Sequence, residues 1–128
     1  MGKTARNMLP CPEQMAVYRR TALQRQTQRQ QLREERRAAA LAFARDAAAL
    51  LKNAYGAERV ILFGSLARPG IFDEHSDVDL AVQGLDERRY CRALAQLMNL
   101  QPDISVDLIR LEEASPSLAD AIHAGITL

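Results

Sequence analysis

The chain has 128 residues, of which 48% are hydrophobic and 26% charged, with a net charge of +1. Such a length fits one domain with its own core, and such a balance is that of a soluble globular chain, not a disordered or membrane-spanning one. The small net charge hides an asymmetry: residues 1–52 carry eleven Lys and Arg against four Asp and Glu, whereas residues 53–128 carry six against twelve.

A basic front and an acidic back present two different surfaces. No apolar run approaches the roughly 20 residues that cross a bilayer. The opening MGKTARNMLPCPEQ has no apolar core of the kind a signal peptide carries. Cys11 and Cys91 form no CxxC pair, so a reduced, cytoplasmic setting is expected.

In chain order, residues 1–12 hold Pro10 and Pro12 and are expected to form a flexible lead-in. From Glu13 to Ala54 there is neither Gly nor Pro, and Ala, Leu, Gln, Arg and Glu dominate. That composition predicts one long helix, or two helices with a break. Its apolar residues divide it. Ala40, Phe43, Ala44, Ala47, Leu50, Leu51 and Ala54 recur at helical spacing and mark a core-facing stripe. The section between Leu23 and Leu32 has no apolar residue and is solvated or serves a partner. Residues 13–39 are therefore taken as a basic, Gln/Arg-rich helical extension and residues 40–128 as the folded domain.

Tyr55-Gly56 ends the helix, with Gly56 suited to a left-handed cap. Three short apolar runs then read as buried strands: RVILF at 59–63, VDLAV at 78–82 and DISVDLIRL at 103–111. Between the second and third, residues 86–100 place Tyr90, Leu94, Leu97 and Met98 at helical spacing, with Asp86 as N-cap and Pro102 beyond the end. A last helix starts with Ser115 as N-cap and Pro116 at its first position, and stops at Gly125.

Several residues in these strands do not serve packing. Gly64-Ser65 follows the first strand and opens a short turn, Leu66-Ala67-Arg68. Backbone N–H groups with no bulky side chain in front of them accept an anion, and Arg68 adds positive charge. Asp77 and Asp79 are two residues apart, which places their carboxylates on one face of a strand. Two such carboxylates repel unless a cation lies between them, and hard oxygen donors without Cys or His select Mg²⁺ or Mn²⁺. Asp107 interrupts the third apolar run. If that strand lies beside the second, all three carboxylates converge, an arrangement that holds two metal ions for displacement at phosphorus. His75, in the loop before Asp77, is read as solvent-exposed, and His123 as structural.

GSLARPG, then SDVDL, then SVDLI resemble the minimal nucleotidyltransferases of the DNA polymerase β-like superfamily, over about residues 40–128. The resemblance implies an α+β nucleotidyltransferase fold: a small mixed sheet with helices packed on one side, preceded here by a long N-terminal helix. It implies that Gly64 and Ser65 bind a nucleoside triphosphate, that Arg68 steadies its phosphates, and that Asp77, Asp79 and Asp107 ligate two Mg²⁺ ions. Asp107 would also assist deprotonation of an acceptor hydroxyl. The activity implied is transfer of AMP from ATP onto a hydroxyl, with a tyrosine of a HEPN ribonuclease toxin as acceptor and the chain as the antitoxin. Two alternatives stand beside it: a binding module of the same fold that neutralises its partner by contact, and a transferase acting on a small molecule such as an aminoglycoside. The sequence departs from the pattern in its spacer, residues 66–76, which is one residue longer than usual and contains Pro69.

The helical extension carries seven arginines from Arg19 to Arg37. A protein interface, including one with a second copy of the chain, is preferred to nucleic acid. The segment has few aromatic side chains to stack on bases.

Overall fold

The computed structural model describes residues 11–69, 72 and 76–128. The lead-in at residues 1–10 and His75 lie outside the described residues. Among the described residues no helix is long and apolar enough to cross a membrane. Among the described residues, two units are distinguished, divided after Leu32. A single helix, α1, runs from Pro12 to Tyr55 without the break that the sequence left open. Its stretch up to Ala39 contributes no fully buried side chain, and helix-forming composition is what sustains it there. Its exposed apolar residues include Val17, Tyr18, Leu23 and Leu32.

From Ala40 onward α1 belongs to the core. Ala40, Phe43, Ala44, Ala47, Ala48, Leu51 and Tyr55 are buried. Ala48 and Tyr55 join the expected stripe, whereas Ala54 is exposed. The alanines let the helix lie close to the sheet, because interaxial distance depends on the side chains at the contact. Gly56 ends α1 with φ 70°, the left-handed turn that a residue without Cβ adopts freely.

The sheet has four strands: β1 (Arg59–Phe63), β2 (Val78–Gln83), β3 (Val106–Arg110) and a short β4 (Ile126–Thr127). They lie in the order β3-β2-β1-β4. β1 pairs antiparallel with β2 and with β4, while β2 and β3 are parallel. A parallel pair needs a crossover, and helix α2 (Tyr90–Leu100) supplies it. A single 3-10 turn at Glu87–Arg89, capped by the Asp86 side chain, leads into α2. Helix α3 (Pro116–His123) starts as expected, with the Ser115 hydroxyl accepting from the Leu118 amide. β4 was not anticipated; two residues are too few to leave a periodic signal.

Strand alternation gives the sheet two different faces. Val60, Leu62, Val78, Leu80 and Val82 pack with α1 and with Ala93 and Leu97 of α2. Ile61, Phe63 and Ala81 point the other way and are covered by Ile122 and Leu118 of α3. The two larger helices thus share one face, and the short closing helix covers part of the other. His123 is exposed in the last turn of α3 and is not part of the core. Met98, which shares the helical spacing of Tyr90, Leu94 and Leu97, is 55% exposed.

Leu62 is fully buried in the larger core. Leu62→Ala should therefore lower unfolding free energy by about 2–5 kcal/mol in urea titration. Met98→Gln should change it by less than about 0.5 kcal/mol. Equal effects of the two would contradict this placement of the core.

Candidate functional site

The residues that did not serve packing gather at one end of the sheet, on the face that α3 only partly covers. β1 carries the chain to Phe63, which stands opposite Asp79 of β2. Asp79 in turn stands opposite Asp107 of the parallel strand β3. Asp79 shares its sheet face with Ala81, which packs under Ile122. Neighbouring strands lie about 4.8 Å apart, so carboxylates at paired positions can converge by side-chain rotation.

β2 begins at Val78, whose amide donates to the Ser105 carbonyl at 2.9 Å. Asp77 therefore precedes the strand instead of lying in it, and it is exposed. It is still close enough to act on Asp79. The Asp79 carboxyl is held above the ordinary carboxylate range, first by burial, then by the charge of Asp107, then by that of Asp77. Among the described residues no three acidic, His or Cys side chains stand as a ready-made ligand set for one ion. The chemistry of the donors nonetheless suits a hard divalent cation: all are carboxylates, and they repel one another across a site that a cation would relieve.

Gly64 and Ser65 follow directly from β1. Gly64 has φ 77° and ψ −153°, a conformation almost confined to glycine. A Cβ on Gly64 would also fall on the Asp79 carboxylate. The small residue is thus required twice over, by backbone angle and by the approach of the turn to Asp79. Residues 65–67 make one 3-10 turn, anchored by buried Leu66, while Ser65 and Arg68 are exposed. The predicted Gly64, Ser65, Asp77, Asp79 and Asp107 are brought to one end of the sheet, with Arg68 at the end of the turn.

Two further residues reach this end and were not singled out by sequence. The Arg37 guanidinium donates from Nη2 to the carbonyls of Leu66 and Arg68, each at 2.9 Å. Arg37 stands three residues before buried Ala40, on the same helical stripe as Ala44, Ala47 and Leu51. That spacing was the available signal, obscured by the surrounding arginines. The Tyr90 hydroxyl, at the start of α2, donates to the Leu108 carbonyl beside Asp107. Its pKa is raised, chiefly by burial and next by the Asp107 charge.

Residues 46–128 match the sequence family described as Polymerase beta, Nucleotidyltransferase. Comparison with curated proteins gave no significant match. Similar solved structures include the MntA-HepT toxin-antitoxin, at 25% identity and a TM-score of 0.51, covering 68% of this chain and 69% of that one. A mutant of that toxin-antitoxin aligns at 27% identity and a TM-score of 0.51, covering 61% of this chain. The present chain spans 64% of that relative's length. A protein described as a minimal nucleotidyltransferase aligns at 29% identity and a TM-score of 0.50, covering 73% of this chain and 88% of that one.

Two consequences of the geometry are measurable. Gly64→Ala should cost about 2 kcal/mol or more in unfolding free energy. Part of that loss should return in the Gly64→Ala/Asp79→Ala double variant, where the clash is gone and the backbone strain remains. The raised Asp79 pKa fixes a sign for pH dependence. Between the unfolded value and the higher folded value, the native state keeps a proton that the unfolded chain has released. Stability from this group is thus lost as pH rises through that window. Asp79→Asn should melt at a higher temperature than wild type at pH 7, and the difference should close below the unfolded value of 3.8. A lower melting temperature for Asp79→Asn at pH 7 would contradict the burial and repulsion described.

Proposed function

We infer that this chain, which belongs to the Polymerase beta nucleotidyltransferase family, is an Mg²⁺-dependent transferase that moves AMP from ATP onto a hydroxyl group. The observation that carries the reading is the register of β2 and β3, which sets Asp79 level with Asp107. Asp77 lies close enough to act on Asp79. The Gly64-Ser65 turn lies against the same Asp79 carboxylate.

In this reading Gly64 and Ser65 receive the triphosphate and Arg68 steadies it. Asp77, Asp79 and Asp107 would hold Mg²⁺, which supplies charge neutralisation for the phosphates. Asp107, exposed on β3, takes the proton of the acceptor hydroxyl. The acceptor oxygen bonds to the α-phosphorus, the bond from that phosphorus to the β-phosphate bridging oxygen breaks, and pyrophosphate leaves. Such a transfer depends on positioning and charge neutralisation more than on covalent chemistry by the protein. The unit proposed to carry it is residues 40–128, with residues 13–39 as an extension.

The acceptor proposed is a tyrosine of a HEPN ribonuclease toxin, with this chain as the cytoplasmic antitoxin. Support comes from the toxin-antitoxin structures to which the chain is similar. It also comes from the exposed Val17, Tyr18, Leu23 and Leu32 on the arginine-rich stretch of α1, which offer a protein surface.

The test uses ATP labelled at the α-phosphate, Mg²⁺, and the protein encoded beside this one. Label should pass to the partner, and Asp77→Ala, Asp79→Ala and Asp107→Ala should each reduce the rate at least about a hundredfold. Stoichiometric binding of the partner with no label transfer, unchanged in all three variants, would instead favour neutralisation by contact.

A further inference from the structure

The arginine run of α1 reads in sequence as a solvated or partner-binding face, and Arg37 departs from it. The side chain is partly buried. It joins α1 to carbonyls 29 and 31 residues further along the chain, those of Leu66 and Arg68. Its Nη1 is buried with no hydrogen-bond partner among the described residues. A buried guanidinium nitrogen left in that state is costly, so the side chain is not held there by packing convenience.

The contact falls where the Gly64–Arg68 turn is weakest. The turn's own hydrogen bonds are long, Ala67 N–H to the Gly64 carbonyl at 3.2 Å and Arg68 N–H to the Ser65 carbonyl at 3.3 Å. Buried Leu66 anchors the first half of the turn. Arg68 is exposed and has no such anchor in its side chain. Arg68 has already left the turn into extended backbone, at φ −106° and ψ 147°, so a cation holding the Leu66 and Arg68 carbonyls ties the last residues of the turn to α1 and uses none of its amides.

We propose that Arg37 is a positioning residue for nucleotide binding: it fixes the Ala67–Arg68 half of the turn through the two carbonyls and does not touch the reacting atoms. The inference rests on the reading of Gly64, Ser65 and Arg68 as the triphosphate site. Asp79 and Asp107 sit on β2 and β3, outside this contact. Loss of Arg37 should accordingly weaken nucleotide binding and spare turnover.

Arg37→Met, Arg37→Lys and, as a charge control on an exposed face of the same helix, Arg45→Met are compared with wild type. The first readout is amide hydrogen exchange across residues 65–68 without nucleotide. The second is KM for ATP and kcat for transfer. Arg37→Met should speed exchange at Ala67 and Arg68 by about tenfold or more, the scale of losing hydrogen bonds to a charged group. It should raise KM for ATP by about tenfold and change kcat less than about threefold. Arg45→Met should match wild type in both readouts, and Arg37→Lys, which keeps the charge and can fold if the Met variant does not, should fall between. Unchanged exchange at Ala67 and Arg68, or a fall in kcat with KM unmoved, overturns the proposal. If wild type transfers no nucleotide, the nucleotide reading fails. The exchange readout alone then decides whether Arg37 holds the turn.

Discussion

Asp79 occupies a crowded place. Phe63 faces it from one side and Asp107 from the other, and the turn after β1 presses so close that residue 64 has no room for a Cβ. A carboxylate on an inner strand, partly stripped of water and facing a second carboxylate, is an unfavourable arrangement for a fold that needs only to be stable. The rest of the sheet is built to tolerate it. Val78 and Leu80, on either side of Asp79, are fully buried among α1 and α2. They fix β2 so that Asp79 cannot turn away from its neighbours.

The two faces of the sheet divide the work. One is sealed by α1 and α2 and supplies most of the core. Among the described residues, the other is covered where Ile122 and Leu118 of α3, with Leu111 and Ala114, meet Ile61, Phe63 and Ala81. Beyond that cover, Asp77 and Asp107 are exposed. Arg37 links the two aspects of the structure. It stands on the helix that builds the core, and its guanidinium ends on the turn proposed to receive phosphates.

Much of this was legible in the sequence. RVILF and VDLAV gave two strands nearly to the residue, because short apolar runs bounded by turns leave few other solutions. Ser115-Pro116 gave a helix start, because a side-chain cap has a strict position, whereas Asp86 caps the 3-10 turn before α2, which itself begins at Tyr90. The convergence of Asp107 with Asp79 needed only the assumption that the two strands are neighbours. Other features were not legible for physical reasons. Asp77 falls just outside β2, since ladder pairing, not side-chain pattern, decides where a strand begins. β4 is too short for periodicity, and it forms because β1 offers it an edge. Arg37 was hidden among arginines of the same appearance. A guanidinium that reaches carbonyls about thirty residues away depends on tertiary packing, which no local window contains.

The central claim is that Asp77, Asp79 and Asp107 act together as one cation site beside a phosphate-binding turn. Binding of Mn²⁺ to the protein, followed by electron paramagnetic resonance with and without a non-hydrolysable ATP analogue, tests it most directly. The account predicts that the analogue tightens Mn²⁺ binding to wild type and that Asp79→Asn combined with Asp107→Asn abolishes it. Mn²⁺ binding of equal strength in wild type and the double variant, indifferent to the nucleotide, would contradict it.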